Sequence, residues 1–373
     1  MSRKKKKEYL LTQRQQLREQ KVYARRRKKK GFWKQKNIEK YNQTEEVDKP
    51  NLRLSPAYRN QVSFSNIISP PIYAISDMRL IENTEECLSF IKKLRDDKNI
   101  SKWGNLRYIQ VSLEYVTKID YGTISILTGI NDEYKSRNIL FRTLLPKDLA
   151  ISQFMIDSGY LNNLMQMNGK PFPTSLKSDM IFFEKGAGTL SDRDNRKISS
   201  MVKHVMEHLT GIREYCLPIK TVILEVCGNA IEWSDTESKQ WLLGIKYGDH
   251  KVIFTVTDVG KGILRTLYRK FGTKFFELFE SEDHILKGAF EKKYGSNTQE
   301  LNRNKGLPAV NNYFKTGKIR NLKVITNSVI LHFDNEGLSR TFRSASSEFR
   351  GTFYQWEMDK DCVNSLQPDN NGR

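Results

Sequence analysis

Charge is the feature that most limits what this chain can fold into. Of its first forty residues, seventeen are Lys or Arg and three are Asp or Glu, so +14 of the formal net charge of +20 sits near one end of a 373-residue sequence. The densest runs are Arg3 to Lys7 and Arg25 to Lys30. A segment this polar buries too little apolar surface to offset its ordering entropy. Residues 1–60 are therefore expected to form a disordered basic tail. The fold must come from the roughly 310 residues that follow, a length that suits two domains.

Hydrophobic residues make up 38% of the chain. No apolar run approaches the roughly 18–20 residues that a transmembrane segment needs. Glu8, Gln13, Arg14, Gln15 and Gln16 interrupt any apolar core of a secretion signal. A cytoplasmic location is the expectation. The four cysteines, Cys87, Cys216, Cys227 and Cys362, form no CxxC or Cys/His cluster, so neither zinc nor a disulfide framework is indicated.

Strand and helix patterns alternate over residues 70–168. Strand patterns fall at 72–75, 106–113 and 138–143, and helical ones at 84–94, 120–137 and 147–157. Within 120–137, Ile124, Leu127, Ile130 and Tyr134 share a helical face. This order predicts an α/β domain, and the Pro- and Gly-bearing stretch at 168–175 reads as a linker. Residues 178–358 read as a second, α+β domain. Helices are expected at 192–209, 218–233 and 307–314, with strands at 239–246, 252–258, 322–326, 328–333 and 351–356. The expected architecture lays the helices on one face of a mixed sheet, and residues 359–373 are expected to be a disordered C-terminus.

The chemistry concentrates in this second domain. Glu225 and Asn229 lie four residues apart in a helical pattern, hence one turn apart on one face. A carboxylate and an amide carbonyl so placed offer oxygen to a hard cation such as Mg²⁺ or to a water, although such a pair is also common on exposed helices. Next, an apolar strand ends in Asp258, followed by Gly260 and Gly262, which let backbone approach a flat ligand or a phosphate. Then Lys305-Gly306-Leu307-Pro308 opens a helix whose free N–H groups favour phosphate. Finally Gly351-Thr352 starts the last strand.

These four motifs, in this order over about 130 residues, resemble the N box, the two glycine boxes and the terminal Gly-Thr of the GHKL ATPases. That superfamily includes gyrase, a heat-shock chaperone ATPase, sensor histidine kinases and mismatch-repair proteins. The resemblance implies a Bergerat-type sandwich that binds Mg-ATP. It implies that Asn229 chelates Mg²⁺, that Glu225 is the general base or water positioner, and that Asp258 accepts the adenine amine beside Thr352. Gly260 and Gly262 would bring their loop to the nucleotide, and Gly306 and Leu307 would carry the phosphates. Residues 294–304 would be a lid, with Arg303 and Lys305 as phosphate contacts. The second box carries one clear glycine where many members have two. Within the superfamily the chain looks closest to the anti-sigma-factor serine kinases. His204 and His208 read as ordinary helix histidines.

The first domain adds a second resemblance. Asp120-Tyr-Gly-Thr123-Ile124, after a strand and opening a helix, is similar to the signature turn of STAS domains, and 154–160 to their closing helix. Such antagonists are switched by phosphorylation in that turn, where Thr123 is the nearby hydroxyl. Together the two resemblances imply an ATPase or a protein serine/threonine kinase in a bacterial regulatory, stress or defence system. They also imply a protein partner read by the STAS-like domain, and a homodimer is compatible with them. A nucleotide-gated binding module without turnover is the alternative. The basic tail, with Tyr9, Tyr23, Phe32 and Trp33 interleaved, suits nucleic acid through residues 1–40. Anionic lipid or a solubilising role fits the same composition.

Overall fold

The computed structural model describes residues 68–96, 106–172, 181–187, 191–234, 240–272, 281–292, 306–344 and 347–366. The expected tail at 1–60 lies outside these residues. In chain order the first elements are β1 Ile72–Tyr73, β2 Asp77–Met78, α1 Thr84–Leu94, β3 Tyr108–Ser112, β4 Lys118–Ile119, α2 Tyr121–Ser136, β5 Leu140–Leu144, α3 Leu149–Asp157 and β6 Met165–Gln166. Two helices start where a carboxylate caps them. Asp120 accepts from the Thr123 N–H at 2.7 Å, and Asp148 accepts from Ala150 and Ile151. The strands pair in the order β1-β3-β5-β6, every pairing parallel, with β2 and β4 as a separate parallel pair.

The chain continues through β7 Ile181–Ala187, α4 Asp192–Thr210, α5 Leu217–Ser234, β8 Gln240–Tyr247, β9 Lys251–Asp258, α6 Ile263–Phe271, α7 Glu282–Phe290, α8 Gly306–Lys315, β10 Arg320–Asn327, β11 Val329–His332, β12 Arg340–Thr341, β13 Phe349–Asp359 and α9 Lys360–Asn364. Seven strands form a second sheet in the order β12-β11-β10-β13-β9-β8-β7. Every pairing in it is antiparallel, not mixed as the sequence pattern suggested. Hairpins β8–β9 and β10–β11 set this direction, and β13 returns between β9 and β10, antiparallel to both. The protein is thus a mixture of α and β structure, with one parallel and one antiparallel main sheet.

Alternation along β9 decides what each face of the second sheet meets. Val252, Phe254 and Val256 join the core shared with α4, α5, α7 and α8. Phe254 stacks on Trp356, its partner across the ladder, with ring centroids 5.1 Å apart. Thr255 and Thr257 point the other way, against α2. There Ser125 Oγ lies 2.8 Å from Thr257 Oγ1, and Thr255 Oγ1 donates to Ser125 at 3.2 Å. Both faces of this sheet are therefore covered, which corrects the expectation of helices on one face only.

Helix α2 explains the difference. Its Ile124, Leu127, Ile130 and Tyr134 fill the core of the first sheet, as their spacing predicts. Its opposite face carries Gly122, Ser125, Ile126 and Gly129, all buried as well. A methyl group at Gly122 would lie 3.0 Å from Phe353, and one at Gly129 would lie 3.4 Å from Thr257. Small side chains let the helix lie close to the sheet. Phe349 and Phe353 of β13, Ile325 of β10 and Ile330 of β11 belong to the same core as α2. All described residues fall in one compact unit, Phe64–Arg373.

The C-terminal residues also differ from expectation. Disorder was expected from 359 onward, yet Asp359 caps α9 by accepting from the Cys362 N–H at 2.9 Å. Cys362 and Val363 are buried in the second core. Two apolar residues per turn suffice once a cap and a neighbouring core exist.

Candidate functional site

Asp258 is the last residue of β9, on the face that meets α5, and it is 1% exposed. Its Oδ1 accepts the Gly260 N–H at 2.9 Å, while Oδ2 has no partner. Thr352 stands directly across the ladder, fully buried, and its Oγ1 also lacks a hydrogen-bond partner within normal reach. Burial pushes the Asp258 carboxyl up to about 7, against the pull of the Gly260 N–H, Thr352 and the Arg95 charge. A buried carboxylate oxygen and a buried hydroxyl that face one another at strand ends, with no other partner and no hydrogen bond of normal geometry between them, cost free energy in the free protein. They are suited to a ligand that brings a donor between them.

The backbone around this pair is clamped by two residues that motif reading passed over. Thr326 pairs with Thr352 in register; its hydroxyl accepts from the Ile263 N–H and donates to Gly351 O, each at 2.9 Å. Asn327 adopts φ 51°, donates to Lys261 O at 2.8 Å and accepts from the Arg265 N–H at 3.3 Å. Gly262, at φ 83°, has no room for a side chain: a methyl there would sit 2.6 Å from Asn327 Oδ1 and 2.7 Å from Thr326 Oγ1. The close approach that Gly262 permits is to protein. The N–H of Gly260 is likewise already used by Asp258. The sequence held one signal for this clamp, a polar Thr-Asn-Ser break between two apolar strands.

A second group forms where α5 meets α8. Asn229 is 3% exposed, and its Nδ2 has no partner. Gly306 opens α8 against it, and a methyl group at Gly306 would overlap the Asn229 amide. Glu225 lies one turn earlier and is half-buried; burial first, and then the Glu225 charge, push the Tyr313 hydroxyl of α8 up. The structure thus brings Glu225, Asn229 and Gly306 together, and separately Asp258, Gly260 and Thr352, with both groups on the helical face of one sheet. Leu307 is buried in the apolar core, so its side chain faces no ligand. Arg303, Lys305 and the expected lid at 294–304 lie outside the described residues.

The remaining candidates have structural partners. His208 Nε2 lies 2.5 Å from Gly248 O, its ring edge-on to Tyr247, and His204 contacts Arg213 at 3.0 Å. Thr123 is fully buried and donates to Met78 O, and Tyr121 is buried too. The turn at 120–124 therefore presents no accessible hydroxyl. Among the described residues no cluster of His, Cys, Asp or Glu suits a metal, and no helix is long and apolar enough to cross a membrane.

Scans of the chain against protein-family models and against curated proteins return no match.

Proposed function

We propose that this chain is a GHKL-type protein that binds ATP with Mg²⁺ on the helical face of its antiparallel sheet and uses it for hydrolysis or phosphoryl transfer. The observation that carries the reading is the unmatched pair at the strand ends. Asp258 Oδ2 and Thr352 Oγ1 are buried without partners, a pattern that a purine amine would complete with one N–H to the carboxylate. On the same face, Asn229 is buried with an unmatched amide nitrogen, held against a glycine that leaves it room. Amide O and N are interchangeable by rotation about the last bond, so Asn229 can turn its oxygen toward Mg²⁺. The ion would neutralise phosphate charge. Glu225, half-buried one turn away, is placed to orient or deprotonate an attacking oxygen. The first sheet carries the STAS-like part of the reading. Its buried Thr123 makes that layer a bracing and partner-reading surface for the nucleotide site rather than the phosphate acceptor within the same molecule.

Incubation with γ-labelled ATP and Mg²⁺ tests the proposal. Wild type should release or transfer the label, and Glu225→Gln should lower that rate at least a hundredfold while nucleotide binding stays within a few-fold. Label release that is unchanged in Glu225→Gln would remove Glu225 from the chemistry. Absence of turnover with tight binding would favour a nucleotide-gated binding module.

A further inference from the structure

Arg95 caps the C-terminal end of α1, and its guanidinium reaches the strand ends beside Asp258 and Thr352. It donates to Val259 O at 2.7 Å and to Arg350 O. Val259 directly follows Asp258, and Arg350 directly precedes Gly351-Thr352. Glu133 of α2 forms an ion pair with the same guanidinium, its carboxylate 3.0 Å from the nitrogen that donates to Val259. The Arg95 side chain is 10% exposed. One planar fork therefore ties the residue after β9 to the start of β13, more than ninety positions apart in sequence, a geometry that Arg offers and Lys does not.

We propose that Arg95 is a positioning residue of the nucleotide site, bracing the end of the β9–β13 ladder where Asp258 and Thr352 face one another. The inference rests on the ATP reading above and extends it: the first layer of the molecule becomes part of the site. Two consequences follow from the contacts. Losing the fork frees two carbonyls just beyond the Asp258–Thr352 pair and loosens that end of the ladder, which weakens binding of any ligand that spans Asp258 and Thr352. Losing its charge removes the cationic side chain that favours the ionised form of Asp258. Ionised Asp258 accepts hydrogen bonds only, as a purine amine requires.

Titration calorimetry of ATP·Mg²⁺ into the full chain between pH 6 and pH 9 separates these roles. Wild type should bind more tightly as pH rises through the Asp258 transition. Arg95→Met should bind about tenfold or more weakly, with the midpoint of that transition moved upward. Arg95→Lys, which keeps charge but not the fork, should bind more weakly with the midpoint near that of wild type. Circular dichroism and thermal unfolding establish that each variant is folded. A fold-wide defect would lower affinity without moving the midpoint in Arg95→Met alone. If wild type binds and Arg95→Met matches it in affinity and midpoint, the role of Arg95 is overturned and the ATP reading stands. If wild type binds no ATP, the ATP reading and this role fall together.

Discussion

Replacing Asp258 by Asn should make the free protein more stable while it destroys the nucleotide site. The Asp258 carboxyl is pushed from an ordinary 3.8 up to about 7 by burial. At 1.36 kcal/mol per pK unit, that shift of roughly three units sets a ceiling of about 4 kcal/mol on the cost of ionising it in the fold. The sign follows from proton counting. Below about pH 4 both folded and unfolded chains hold the proton, and this group contributes no difference. Between pH 4 and pH 7 the folded chain keeps a proton that the unfolded chain has lost, so stability falls as pH rises. Above pH 7 the full penalty is present. Asn carries no charge and can still accept from Gly260 through its oxygen, although its buried NH₂ group forfeits about 1–3 kcal/mol if unmatched. The expected net gain is about 1–3 kcal/mol at pH 8.5, shrinking to nothing or a small loss at pH 5. Urea unfolding of wild type and Asp258→Asn at both pH values measures it, with midpoints compared at constant m. A variant that is less stable than wild type at pH 8.5, or a difference independent of pH, would refute the argument that Asp258 is held at a cost.

Two further substitutions probe the packing on each side of the sheet. Gly306→Ala forces a methyl into the Asn229 amide, so it should lower stability by about 1–3 kcal/mol, and adding Asn229→Ala should recover most of that loss in thermal unfolding. Additive losses in the double variant would show that the two residues do not press on one another. Ser125→Ala removes the hydroxyl between α2 and the sheet and takes away the side-chain partner of Thr257, while Thr255 keeps its contact with Tyr121; the loss should cost about 1–3 kcal/mol. Combining it with Thr257→Val should restore part of the stability, because the hydroxyl that lost its partner is then gone; a double variant less stable than Ser125→Ala alone would contradict that.

Much of the secondary structure was legible because local signals and burial agree. The span 84–94 is the helix its spacing predicts, with acidic residues in its first turn and Lys92 and Lys93 in its last. Asp120 and Asp148 mark helix starts through capping chemistry alone. In the second half Glu225 and Asn229 lie within α5, Asp258 ends β9, Gly306 opens α8 and Thr352 lies near the start of β13; they come together as two separate groups. What escaped reading is tertiary. The buried second face of α2 carries Gly122, Ser125 and Gly129 beside Ile126, small residues that look solvent-facing until a sheet covers them. Strand β7 is an edge strand that its pairing with β8 defines more than its own pattern does. Thr326 reads as the end of one strand and Asn327 as the link to the next, and only their hydrogen bonds to Gly351, Lys261, Ile263 and Arg265 reveal a clamp. Arg95 gives no signal in sequence, because its role depends on two carbonyls brought together by the fold.

The most direct test of the account is a calorimetric titration of ATP with Mg²⁺ into the full chain at pH 8, beside Asp258→Asn. The account predicts saturable heat at one site per chain for wild type and its loss in the folded, more stable variant. No heat from wild type, or equal heat from both proteins, would contradict it.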